Sequence, residues 1–219
     1  VVGQDLTVYG MDTYGRPKLM QLLDALASSL PHDLWIRLLY LHPSRVTETL
    51  LERVSKGSQI LPYLDIPVQH GDARILKSMN RGISDEELLT IFTTARSINP
   101  DFALRTTCMV GFPGEKKSHF DKMMDFVSKA KFDRMGAFTF FAEEDKLAYE
   151  MGNQVSDKIK EKRLAALMAL QSEISFERQQ LFVGREMDVL IERVSHDEGF
   201  AEGRSFREAP EVDGIIEIR

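Results

Sequence analysis

The chain has 219 residues, 43% of them apolar, 28% charged and 9% aromatic, an ordinary globular composition with length for one full domain and part of another. Lys and Arg number 28 against 34 Asp and Glu, a net charge of −6 that argues against direct nucleic-acid binding through phosphates and leaves a basic protein or a small ligand as partner. No apolar run approaches the roughly 18 residues of a membrane span and no signal-peptide pattern opens the chain; with Cys108 as the single cysteine, a disulfide framework and an all-cysteine metal site are excluded within this sequence, and a cytoplasmic location is expected.

The chain opens without methionine on Val1-Val2-Gly3-Gln4, a strand tail, and closes on the strand-like run 215–219, as a piece cut from a longer protein would. Leu19, Leu22, Leu23, Leu26 and Leu30 set a helical stripe that Pro31 closes. The apolar run 34–40 is of strand length. Val46, Leu50, Leu51 and Val54 mark a helix that stops at Gly57, and 63–69 forms the next strand with Pro67 near its end. Ser84 and Glu87 make a capping box for a helix carrying Leu88, Ile91, Phe92 and Ala95. A strand over 104–112, a helix with Phe120, Met123, Met124 and Val127, and a strand over 135–141 follow. Repeated strand–helix units imply parallel pairing through right-handed crossovers, hence an α/β barrel or an open doubly wound sheet. A long helix from Ser156 to Gly184 has Ile159, Leu164, Leu167, Met168, Ile174 and Leu181 as its apolar face, and from Glu186 an alternating, turn-rich pattern predicts a small antiparallel β module. The division is 1–152 for the barrel, 153–184 for a linking helix and 185–219 for an incomplete β domain.

Parallel barrels and open sheets bind ligands at the carboxyl ends of their strands. The polar residues predicted there are Gln4 and Asp5, Tyr40 and His42, Gln69 and His70, Gly111 to Glu115, and Glu143-Glu144; the plain alternative is that strands end in polar loops. Gly111-Phe112-Pro113-Gly114-Glu115 sets a tight turn where backbone N–H groups can approach a ligand, or an ordinary strand-to-helix turn. Arg37 and Arg105 sit inside apolar strands, so each binds a ligand carboxylate or phosphate or closes an ion pair with Asp65 or Glu115. His42 and His70 could bind metal or move protons, or, lacking a partner cluster, serve as hydrogen-bonded loop residues, and Cys108 is a buried, inert thiol or a nucleophile.

Taken in order, Gln4 to Gly10, Trp35-Ile36-Arg37, Tyr63-Leu64-Asp65-Ile66-Pro67-Val68-Gln69-His70, Ile75 to Arg81, Leu104-Arg105-Thr106-Thr107 and Gly111 to Glu115 resemble the radical S-adenosylmethionine methylthiotransferases over essentially the whole chain. The Tyr63–His70 octet resembles the RimO branch, which modifies ribosomal protein; the transfer-RNA branch tends to carry His-Leu-Pro and Gln-Ser there. Gly203-Arg204-Ser205 with Ala209 to Gly214 is similar to that branch's TRAM module. The resemblance implies an α/β fold: a partial (β/α) radical-SAM, TIM-like barrel followed by the start of a small antiparallel, OB-like TRAM domain. It also implies S-adenosylmethionine over a [4Fe-4S] cluster, a second [4Fe-4S] cluster in a preceding domain that delivers sulfur, and an electron donor such as flavodoxin. The implied product is a β-methylthio-aspartate on a basic small-subunit ribosomal protein. An unactivated C–H bond calls for a radical, a thiolate-ligated cluster supplies the low-potential electron, and a closed barrel keeps water away.

Carried over residue by residue, the resemblance makes Gln4, Arg37, Gln69, Arg105 and Gly111 candidates for the S-adenosylmethionine pocket, with Arg37 and Arg105 suited to its carboxylate by bidentate pairing. Tyr40 and His70 are candidates for the rim or substrate side, and no residue is assigned as acid, base or nucleophile. The family's Cys-x3-Cys-x2-Cys loop and the three cysteines of its preceding domain are absent from this sequence, so this span alone is expected to hold no cluster and to be inactive. Glu144-Asp145-Lys146-Leu147 replaces the family's Glu-x-Gly-Thr, and Gly71-Asp72 replaces the small residues after His70. Two other readings are a transfer-RNA adenosine methylthiotransferase and a recognition scaffold that uses no S-adenosylmethionine; the acidic charge and the octet favour the ribosomal-protein reading.

Overall fold

The computed structural model describes residues 1–56, 59–144, 147–197 and 199–219. Four of the apolar runs form strands β1 (Ile36–Leu38), β2 (Ile60–Asp65), β3 (Ala103–Val110) and β4 (Arg134–Thr139), all parallel and adjacent in chain order. Their connections carry the helices, as a parallel pair requires. Helices α1 (Met11–Tyr14) and α2 (Leu19–Ser29) precede β1, and α3 (Glu48–Lys56) leads to β2. Helices α4 (Ala73–Ser78) and α5 (Asp85–Ile98) lead to β3, α6 (Lys117–Ala130) to β4, and α7 (Leu147–Glu150) and α8 (Asp157–Gln180) follow. This bears out the α/β reading, with a parallel sheet of four strands.

The two-residue period of a strand divides the side chains between two faces. Ile36, Leu38, Ile60, Leu64, Leu104 and Cys108 face the helices and pack with Leu23, Leu51, Val54, Phe92 and Phe132 into the main core. Trp35, Leu39, Leu61, Tyr63 and Ala103 form a second cluster on the inner face, where Phe206 and Ala209 cover them.

The second sheet is antiparallel, with β5 (Leu190–Ser195), β6 (Phe200–Arg204) and β7 (Ile216–Ile218) in that order, as the alternating pattern predicts. After β6 the chain first turns back onto the parallel sheet, and only from Pro210 does it reach solvent. Ser205, Arg207, Glu208 and Ala209 are buried against the inner face of the parallel sheet.

Several boundaries differ from expectation. The strand expected over 63–69 runs from Ile60 to Asp65, because Pro67 has no N–H for the ladder; the chain returns for a single bridge between Gln69 and Cys108. Helix α4, capped by Asp72 through the N–H groups of Arg74 and Ile75, was not anticipated. Val1 lies beside β1 through bonds to Arg37 O and from Leu39 N, without forming a regular strand. The stop at Gly57 and residues Asp145 and Lys146 of the departing loop fall outside the described residues.

Helix α8 is the largest correction. Its buried stripe runs through Lys160, Leu167, Gln171 and Ile174, while Ile159, Met168 and Leu181 from the expected apolar face are exposed. The helix covers the β4 side of the sheet, where polar residues have partners: Gln171 donates to Phe132 O at 2.8 Å and Ser175 Oγ to Asp133 O at 2.8 Å. No described helix is long and apolar enough to cross a membrane.

Candidate functional site

The parallel strands place their carboxyl ends at one end of the sheet, and a cleft of about 250 Å³ opens there. It is lined by Gln4, Tyr40, His42, Pro67, Gln69, Arg81 and Thr107. Three sequence candidates, Gln4, Tyr40 and Gln69, thus meet in one place.

Two of the lining residues are held in a costly conformation. Tyr40 (φ 63°) and Gln69 (φ 70°) are left-handed without being glycine, a condition worth about 1–3 kcal/mol each that persists only where the surroundings impose it. The surroundings do so here. Tyr40 N donates to Asp65 Oδ2 at 3.2 Å and its carbonyl accepts from Leu6 N at 3.1 Å. Gln69 N donates to Thr107 O at 2.9 Å and its carbonyl accepts from Met109 N at 2.7 Å. The Gln69 side-chain oxygen is buried and has no hydrogen-bond partner among the described residues, which makes it an acceptor held ready beside the cleft.

The cleft's cation is Arg81. It is partly desolvated, which pulls its pKa down, and it makes no ion pair among the described residues. Burial, then Arg81 and Arg45, hold the His42 imidazole below its ordinary value against the pull of Asp5, so the imidazole is neutral near pH 7. A cleft with one unpaired guanidinium, two amide side chains and an aromatic wall can bind a small zwitterion or anion. Sequence reasoning passed over Arg81, although it closes the Ile75–Arg81 motif.

Behind the cleft wall, the expected rim position of His70 is corrected: its ring is fully buried. Its Nδ1 accepts from Asp72 N at 3.0 Å, so Nε2 is the ring nitrogen that faces Glu115 Oε2, at 3.3 Å. Glu115 accepts from Gly111 N at 2.7 Å and from Arg163 Nη1 at 2.7 Å. The glycine-rich turn is therefore tied to the end of β2 and to α8 through one buried carboxylate. Gly111 has φ +80°, and a Cβ there would overlap the stem of Lys160, so its bareness serves close packing of α8 in this structure.

Arg37 and Arg105 lie elsewhere. Both project from the inner face toward the segment after β6, away from Gln69 and Arg81. Arg37 donates to Phe206 O at 2.5 Å and Ser205 O at 3.2 Å and stacks 4.4 Å over the Tyr63 ring. Arg105 pairs with Asp65 at 2.8 Å and with Asp213 at 3.5 Å. Arg105 thus closes the ion pair with Asp65 that the sequence offered as an alternative, whereas Arg37 is held by backbone carbonyls and an aromatic ring and makes no ion pair among the described residues.

Cys108 is fully buried within β3, and burial pushes its thiol up to about 12. No group of three His, Cys, Asp or Glu among the described residues could hold a metal. The donors of this span therefore fit S-adenosylmethionine at the cleft but do not fit an iron–sulfur cluster, which needs several thiolates.

The Radical SAM superfamily model matches residues 3–127, and the TRAM domain model matches residues 183–219. "Ribosomal protein uS12 methylthiotransferase RimO" of Pseudothermotoga lettingae is 44% identical over 219 residues, all of this chain and 50% of that protein. The protein of the same name from Carboxydothermus hydrogenoformans is 40% identical over the same span, again 50% of its length. The chain thus spans about half the length of the curated relatives it matches. Coproporphyrinogen III oxidase from Escherichia coli, described as a radical SAM enzyme, superposes with a TM-score of 0.59 at 17% identity, over 71% of this chain and 36% of that one. At that identity the likeness speaks to the fold alone.

Proposed function

The chain belongs to the radical S-adenosylmethionine superfamily, and on that premise we propose that it forms the cofactor-binding barrel and TRAM module of a methylthiotransferase acting on an aspartate of ribosomal protein uS12. The observation that carries the reading is the 44% identity over all 219 residues to a uS12 methylthiotransferase. The net charge of −6 supports a basic protein substrate, and Phe141, Glu143 and Glu144 are exposed after β4, at the cleft's end of the sheet.

In this reading Arg81 holds the carboxylate of S-adenosylmethionine, a role first sought in Arg37 and Arg105. Gln4 and Gln69 bind its polar groups, and Tyr40 forms the wall over it. Gly111 and His70 hold the wall from behind through Glu115. S-adenosylmethionine, when bound and reduced by one electron, supplies a 5′-deoxyadenosyl radical for hydrogen abstraction. The protein's own work is to orient the cofactor, exclude water and present the aspartate. The thiolates for the clusters and the electron donor lie outside this span.

The complete polypeptide containing this span, reconstituted anaerobically with iron and sulfide and given S-adenosylmethionine, reductant and a uS12 peptide, is the test. Formation of 5′-deoxyadenosine with methylthiolation of the peptide is expected. No 5′-deoxyadenosine with intact clusters overturns the radical reading, and transfer to transfer RNA instead overturns the substrate. Arg81→Gln is expected to weaken S-adenosylmethionine binding in calorimetry by about 10- to 100-fold, the loss of one charge-assisted pair. Unchanged affinity removes Arg81 from the pocket.

A further inference from the structure

The left-handed backbone of Tyr40 has a support that reaches far from the cleft. The N–H of Tyr40 is held by Asp65 Oδ2, and Asp65 is only 1% exposed. Its other oxygen accepts from Arg105 Nη1 at 2.8 Å. Arg105 Nε faces Asp213 Oδ1 at 3.5 Å, and Asp213 Oδ2 accepts from the Tyr63 hydroxyl at 2.7 Å and from Ala209 N at 2.9 Å. Asp213 belongs to the β module, so an unbroken run of polar contacts joins that module to the edge of the cleft.

From this arrangement we infer that Asp213, Arg105 and Asp65 are positioning residues through which the seating of segment 205–213 on the inner face sets the Tyr40 backbone and the shape of the cleft. A buried carboxylate takes the orientation its strongest partner dictates, and Asp65 has the Arg105 guanidinium as that partner. Arg105 is shared between two carboxylates on opposite sides. Removing Asp213 leaves the guanidinium free to follow Asp65 alone, and the oxygen that holds Tyr40 N loses its fixed direction. Tyr40 pays for its conformation only while that oxygen stays in place. The inference concerns the cleft's geometry and stands whichever ligand the cleft takes.

Asp213→Asn keeps an acceptor for Tyr63 and Ala209 while removing the charge that faces Arg105. Residue-resolved amide hydrogen exchange on the complete polypeptide containing this span is the measurement. The Tyr40 amide is expected to exchange about ten-fold faster, while the Leu104 amide, bonded to Asp133 Oδ2 at 2.9 Å, keeps its rate. Asp213→Glu, which restores the charge, is expected to recover most of the Tyr40 protection. An unchanged Tyr40 rate in folded Asp213→Asn, or an equal acceleration of every amide, overturns the inference. Should Asp213→Asn not fold, Arg105→Lys tests the same link by keeping charge and losing the fork, with the same expected signature. Failure of both to fold makes the run a stability element and overturns the positioning role.

Discussion

At the scale of single residues, Gly111 shows how a residue can be singled out correctly and for a different reason. The sequence marked it as a place where a backbone comes close to something. In the structure, what comes close is the Lys160 stem, not a ligand atom. Gly111→Ala is expected to destabilise the protein by about 1–3 kcal/mol, from the positive φ and the overlap together. Lys160→Ala in the same chain should return the steric share, so a double-mutant cycle by denaturant unfolding should give a clear coupling; strict additivity would refute the contact. His70 and Arg81 carry the complementary lesson. A histidine at a strand end is equally consistent with solvent and with a buried place beside Glu115, and an arginine shows its vacant guanidinium only once its neighbours are placed.

Among the elements, helix α5 was legible down to its cap, because a capping box is a purely local device. Ser84 Oγ accepts from Glu87 N at 3.2 Å, and Glu87 Oε2 accepts from Ser84 N at 2.8 Å. Helix α8 was legible in extent and in half of its buried face, since Leu164, Leu167 and Ile174 lie in the core as expected. Hydropathy assigns Met168 and Leu181 to the core, yet the rows that touch β4 pass through Lys160 and Gln171, whose polar ends reach Asp157 and Phe132 O. Leu167→Ala is accordingly expected to cost about 2–5 kcal/mol, whereas Met168→Ala should stay within about 0.5 kcal/mol. Thermal unfolding of the two variants side by side checks the assignment, and a reversed order would mean that the helix is rotated.

Across the whole molecule, distant parts are tied together at Asp133, just before β4. Its carboxylate meets Arg96 of α5 at 2.6 Å, Arg178 of α8 at 3.2 Å and Arg207 of the segment after β6 at 3.2 Å. Burial raises the Asp133 pKa, but Arg96 and Arg178 outweigh it and hold the carboxyl below its ordinary range. The native state therefore binds fewer protons here than the unfolded chain. The contribution is present above the ordinary value of about 3.8 and is lost as pH falls through the lower native value. Asp133→Asn is expected to cost about 3–5 kcal/mol at neutral pH by leaving three arginines without their carboxylate. The gap from the parent should narrow in strong acid, and a gap that widens on acidification would contradict the assignment.

What the sequence determined by itself rests on local period and order: the alternation of strands and helices, the parallel sheet it requires, the capping box, the antiparallel module and the strand ends where a cleft would open. What only the tertiary structure decided was which polar residues share a space. Arg37 and Arg105 were equally able to meet a ligand or a protein carboxylate, because a buried charge demands a partner without specifying one. Folding brought Asp213 and the carbonyls of Ser205 and Phe206 to them, across sequence separations of more than a hundred residues, and left Arg81 to the cleft. Periodicity acts within one element, whereas these pairings depend on how the β module lies against the barrel, and that geometry exists only in the folded chain.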